Sequence, residues 1–299
     1  MKKYALVSIL VSLIGGWTAA PAALGATRTL EITKGVLLDK TGFSLSFSLS
    51  GARVVIRHIN DDDTVVKADI TYNTPPQGKM REPKLLTTSV GNTFIAEFKS
   101  GMRVLPYTNS TIEKWDIAIG NYDVDTELKL VCKNASADLD LGGLPLIRCA
   151  LKIRQGTVVV DLSAPTSRPV AQFTINGRAM NLSASHIGNS NFAFFNLTGS
   201  GGAAELNFDG LYAAGDHNAQ IVTTGMIQNI TIPSDAGAQV VVLPFSLPIV
   251  VVPQDEWTRD FRLPFLQHYS TSDYNTQRTK INLGITSLGS FGMVVRDAQ

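Results

Sequence analysis

After residue 26 the chain alternates apolar and polar positions with a period of two, and helical periodicity is almost absent. Such alternation places successive side chains on opposite faces of a strand. Phe43, Leu45, Phe47 and Leu49 alternate with serines, Gly51-Ala52 interrupts, and Val54 and Ile56 continue. Leu85–Val90 and Thr93–Phe98 flank Gly91-Asn92, whose tolerance of positive φ predicts a tight hairpin. The class read from this pattern is all-β.

Between residues 151 and 232 the alternation acquires a longer repeat. Each unit is a short strand, a glycine break and a second strand, with the breaks at Gly156, Gly177, Gly199 and Gly225. The apolar parity reverses at each break. Odd positions 151/153, 173/175, 195/197 and 221/223 precede it, and even positions 160/162, 180/182, 206/208 and 230/232 follow it. If glycine turns a corner at each break, both strands keep their apolar residues inward. One such unit cannot bury its own apolar face, whereas stacked units can. The expected architecture is therefore a solenoid-like stack of short strands, with an ordinary antiparallel β-sandwich as the alternative. The four glycines are the expected structural corners.

Leu139-Asp140-Leu141-Gly142-Gly143-Leu144-Pro145-Leu146, the strand–glycine–strand units and Phe208-Asp209-Gly210 together resemble the toast-rack family. That family is similar to the putative-adhesin β-repeat domains and to the cell-wall-active antibiotics response proteins of bacteria. The likeness spans about residues 126–250. It implies stacked strands in an exported or envelope-associated protein and brings no functional residues with it. The expected organisation is a leader at 1–26 and an N-terminal β region at 27–125 that can extend the same stack. A repeat domain at 126–252 follows, then a segment at 253–299. There the aromatic-rich stretch Asp255–Tyr274 caps the stack as a short helix or loop, and Lys280–Ile285 with Phe291–Val295 forms a final rung.

Residues 1–26 carry Lys2 and Lys3, an apolar run from Ala5 to Trp17, and a tract of small residues. This three-part pattern is that of a secretory signal peptide, with cleavage after Ala22 or Ala26. The 26 basic residues less Lys2 and Lys3 leave 24 against 25 acidic ones, so the exported chain is neutral, with no polybasic patch along the sequence. That balance offers no electrostatic footprint for nucleic acid. The apolar stretch Val240–Val252 is broken by Pro244 and Pro248, with Pro253 just beyond, and is too short to span a bilayer as a helix, so no transmembrane span is expected once the leader is removed. An exported chain with two cysteines permits one disulfide, and Cys132 and Cys149 both fall on inward positions, so a bridge between them is expected.

Catalytic chemistry has little support. His58, His186, His217 and His268 are scattered, and no Gly-x-Ser-x-Gly elbow is present. No metal ligand set and no cofactor motif is found. Asp123, Asp125, Asp138 and Asp140 could serve calcium or glycoside chemistry only if they converge. The aromatics Trp257, Phe261, Phe265, Tyr269 and Tyr274 could then stack on a sugar, although capping the core explains them equally well. The expected function is a non-enzymatic protein of the periplasm, cell surface or extracellular space. It presents a rigid β stack for adhesion, binding or scaffolding to an envelope protein or glycan. The alternative is a secreted β-helical enzyme acting on polysaccharide through paired carboxylates. A third possibility is a membrane-surface sensor using Val240–Val252.

Overall fold

The computed structural model describes residues 25–73, 82–101, 113–246, 249–251, 257–263 and 266–297. The leader expected at 1–26 lies almost wholly outside these residues. Eighteen strands occur among them. They are β1 (Gly25–Thr33), β2 (Gly42–Ser50), β3 (Ala52–His58), β4 (Thr64–Asn73), β5 (Lys84–Val90), β6 (Thr93–Lys99), β7 (Glu113–Ile119), β8 (Asp125–Asp140) and β9 (Leu146–Asp161). The remainder are β10 (Gln172–Ser185), β11 (Phe194–Asn207), β12 (Gly215–Ile232), β13 (Gly237–Ser246), β14 (Ile249–Val251), β15 (Trp257–Leu263), β16 (Leu266–Thr271), β17 (Thr279–Leu288) and β18 (Phe291–Arg296). Helical structure among the described residues is confined to two four-residue 3₁₀ turns, Lys34–Leu37 and Ile187–Ser190.

The protein is all-β, and its strands stack as the alternation and the repeat require. The long strands β8 to β12 lie parallel, each paired with the next along both of its halves. Each bends midway at a residue of left-handed conformation, Asn134, Gln155, Ala179, Gly201 or Gly225, and β11 adds a second positive-φ residue, Gly202 at 96°. The register places the midway residues side by side, continued by Gly51 between β2 and β3 and by Gly289 between β17 and β18. The φ values in this column lie between 48° and 65°. The left-handed residue in this column bends each strand and reverses its inward parity. All sixteen positions singled out by parity around the four glycines are buried.

Of the four expected corners, only Gly225 occupies the left-handed column. Gly156 follows the corner residue Gln155, and Gly177 and Gly199 stand two places before Ala179 and Gly201. These three glycines supply room rather than conformation. Met180 and Met226 fill the inside of the bend, both fully buried. A Cβ on Gly177 would collide with the Met180 thioether, and one on Gly199 would lie 2.7 Å from Met226 Sδ. A Cβ on Gly156 would run into the carbonyl oxygen of Ala135 on the next rung.

The interior is built from ladders of equivalent side chains. Phe47, Leu130, Leu151, Ile175, Leu197, Ile221, Ile285 and Val242 follow one another across eight rungs. All are buried. At roughly 1.5–3 kcal/mol per buried aliphatic side chain, these ladders are the dominant stabilising term. The Cys132–Cys149 bridge is not formed, and both thiols are buried and free. The reason is register. Cys149 lies opposite Leu128, and Cys132 lies opposite Ile153. A four-residue offset at ~3.3 Å per residue separates the cysteines by about 13 Å along the strand. A disulfide tolerates roughly 7 Å between Cα atoms.

The two ends of the stack are interleaved. β2–β3 lies between β8 on one side and β6–β7 on the other. At the far end β17–β18 lies between β12 and β13–β14. The chain's last rung is thus next to last in space, not terminal as the order along the sequence suggested. Antiparallel pairing among the described strands is restricted to the ends, where β1 and β4 cover β7, β5 covers β6, and the β15–β16 hairpin covers β13. Covered ends leave fewer unpaired backbone groups to recruit other chains. Strand residues 257–263 and 266–271 replace the short helix or loop expected in the capping segment.

Candidate functional site: a cationic groove along the corner

The outward face beside the corner shows what the stacking brings together. Lys133, Arg154 and Arg178 are the outward residues immediately before the bend on β8, β9 and β10. They are directly paired in register, Lys133 with Arg154 and Arg154 with Arg178. Neighbouring strands lie about 4.8 Å apart, so three cations succeed one another at that spacing. Lys152, two residues before Arg154, faces Asn176, which faces Thr198. A cavity of about 640 Å³ opens here, lined by Lys152, Arg154, Gln155, Asn176, Arg178 and Thr198 among others.

The charge of this groove is uncompensated. Among the described residues Lys133, Lys152, Arg154 and Arg178 make no hydrogen bond or ion pair with another side chain. Glu127, further along β8, is held by Arg148 at 3.1 Å. Like charges directly opposite one another on adjacent strands are destabilising. The charges of the column therefore do not favour the fold. This face offers the groove the guanidinium forks of Arg154 and Arg178 and the ammonium group of Lys152, with Lys133 one strand beyond the lining, side chains well suited to carboxylate, sulfate or phosphate oxygens. No polybasic patch was visible along the chain because these cations stand 21 and 24 residues apart, the same steps by which the rungs pair.

The acidic positions do not converge. Asp123 and Asp125 both hold Arg168, at 2.8 and 2.9 Å. Asp140 accepts from the Gly142 amide and from Ser163 Oγ at the opposite end of β8, where Asp138 faces outward. These carboxylates are divided between the two ends of β8, and Asp123, Asp125 and Asp140 anchor the turns and loops there. Among the described residues no group of three or more His, Cys, Asp or Glu side chains is placed to hold a metal ion. Of the aromatics considered for sugar stacking, Trp257 and Tyr269 are buried, and the side chains of Phe261 and Phe265 lie outside the described residues.

The histidines find partners from other rungs. His58 Nε2 lies 2.9 Å from Asn121 Oδ1. His217 is buried between the carbonyls of Phe192 and Ala213. His186 sits between two carboxylates, with Nδ1 2.7 Å from Asp161 Oδ1 and Nε2 3.7 Å from Asp209 Oδ2. The Asp161 hydrogen bond holds its pKa above the ordinary 6.5, against a smaller opposing effect of burial. Asp161 and Asp209 stand 25 and 23 residues from His186, too far along the chain for spacing alone to pair them.

No family model matches the chain, and no curated protein matches it. It is similar to a solved "putative cell adhesion protein" from Clostridium sporogenes ATCC 15579, with 12% identity and a TM-score of 0.46, over 91% of this chain and 100% of that one. It is also similar to a solved "putative adhesin" from Bacteroides fragilis NCTC 9343, with 9% identity and a TM-score of 0.34, over 93% of this chain and 99% of that one. Among the described residues no helix is long and apolar enough to cross a membrane.

Proposed function

We propose that this chain is an exported, non-enzymatic envelope or surface protein whose rigid β stack serves adhesion or binding, with the corner groove as its contact for an anionic partner. The observation that carries this reading is the uncompensated column Lys133–Arg154–Arg178 beside a 640 Å³ cavity. The charges of a mutually repelling cation column do not hold the rungs together, and an anion relieves the repulsion on binding. The leader-like residues 1–26 and the resemblance to envelope β-repeat proteins agree with it. The alternative of a polysaccharide-cleaving enzyme is disfavoured by the separation of Asp123 and Asp125 from Asp138 and Asp140.

The test is retention of the purified protein on immobilised envelope fractions, comparing the wild type with the R154Q/R178Q double variant. The wild type should bind an anionic fraction and elute with salt, as exposed charge contacts do. Equal behaviour of the two proteins on every fraction would remove the groove from the function. A bacterial host expressing the full chain should deliver it beyond the inner membrane without residues 1–22 or 1–26.

A further inference from the structure

We infer that the partner of the groove is a linear acidic polysaccharide lying along the stack axis, perpendicular to the strands. The inference rests on the anion-binding reading above and specifies the ligand's shape and class. The outward column before the bend reads Ser50, Lys133, Arg154, Arg178, Ser200 and Thr224, all six in continuous register. Each is exposed or half-exposed. Six rungs at ~4.8 Å make a track about 24 Å long with a donor-bearing side chain at every step. A compact anion such as free phosphate would use two of the cations and leave the rest of the track idle. An extended polymer meets a cation at three successive rungs and a hydroxyl at the other three, and the rung spacing is comparable to the advance of one sugar along an extended glycan.

The lining favours a glycan over a nucleic acid. The groove residues beside the cations are Gln155, Asn176 and Thr198, which exchange hydrogen bonds with hydroxyl groups in both directions. The lining contains no aromatic ring. Single-stranded nucleic acid sites combine a positive groove with aromatic stacking platforms. The hydroxyls of Ser50, Ser200 and Thr224 extend the track beyond the cations on both sides, where they can meet the hydroxyls of further sugars.

The experiment is a calorimetric titration of the purified protein with oligogalacturonates of increasing length. Galacturonic acid monomer, a neutral cello-oligosaccharide, inorganic phosphate and inorganic polyphosphate are run beside them. Affinity should rise with oligogalacturonate length until the chain spans the three cations, then level off. R154Q and R178Q should each weaken the longer oligomers by about tenfold, the loss expected for one charge-assisted contact. Lys67→Gln, on the remote β4, should leave binding unchanged. Length-independent affinity overturns the polymer inference while leaving an anion site in place. Polyphosphate binding as well as the uronates overturns the glycan class. Failure of every anion to bind overturns the proposed function as well.

Discussion

Arg154 lies directly between Lys133 and Arg178, one strand away from each, with all three side chains on the outer face of the stack. Its guanidinium is repelled from both sides and hydrogen-bonded from neither. Removing that charge should stabilise the free protein. R154Q is expected to gain about 0.2–1 kcal/mol at low salt, or up to roughly 2 °C in Tm. The gain should vanish in high salt, where exposed charges are screened. Thermal melts of the two proteins at low and high ionic strength measure this. A lower Tm for R154Q at low salt would mean that the column is a structural asset.

His186 provides a pH-dependent contribution. Its folded pKa is raised, so the protonated ring is favoured in the native state between Asp161 and Asp209. The stabilisation is fully present below the ordinary 6.5 and is lost as pH rises through the raised value. His186→Asn tolerates the left-handed backbone at this position (φ 52°) and removes the titration. The Tm difference between wild type and variant should be largest in mild acid and fade at alkaline pH. A difference that is constant across that range would show that the carboxylates do not act on the ring.

The thiols should behave as core residues. Intact mass measured without reductant should show both cysteines reduced, and dithiothreitol should leave Tm unchanged. Burial pushes the Cys132 thiol up to about 12 and raises that of Cys149 further, so neither should react with iodoacetamide until the protein unfolds. A native mass lower by two hydrogens would contradict the observed register.

Alanine at two glycines should separate the two reasons for having glycine. In Gly156→Ala the new methyl meets the Ala135 carbonyl, part of the pairing between β8 and β9, and the rungs must move apart. A loss of about 2–4 kcal/mol is expected, of the size of severe overpacking. Gly225 has φ 57° and open space around the position of a Cβ. Ala179 already occupies the same column at φ 50°. Gly225→Ala should therefore cost only the left-handed strain, about 1–2 kcal/mol. Urea midpoints for the two variants give the comparison directly.

A buried polar cluster keys the last rung into place. Ser290 accepts from the Met226 amide and from Thr223 at 3.1 Å each, and Gln228 donates to Thr223. All four side chains are buried in an interior that is otherwise mostly apolar. Ser290→Ala leaves the Met226 N–H without a partner, at a cost of about 1–3 kcal/mol. Amide hydrogen exchange in β17 and β18 should accelerate more than in β8 and β9.

The residues themselves determined a great deal. Alternation along Phe43–Leu49 and the parity reversal between Ile153 and Val158 specify which side chains face inward, because the strand period of two is a local property of the backbone. Gly91-Asn92 marked the hairpin between β5 and β6 for the same reason, since its turn is set by its own φ preference. Register between rungs is not local. It depends on the lengths of the connections 141–145, 162–171, 186–193 and 208–214, and on whether a corner falls at Gln155 or at Gly177. Non-glycine residues at three of the left-handed positions concealed those corners, while Met180 and Met226 accounted for glycines that resembled them. A shift of four residues separates Cys132 from Cys149, and steps of 21 and 24 residues bring Lys133, Arg154 and Arg178 together. The inward-facing core was therefore legible in the sequence. The cationic groove, the free thiols and the interleaved ends were decided by the tertiary structure, because each depends on which rung lies beside which.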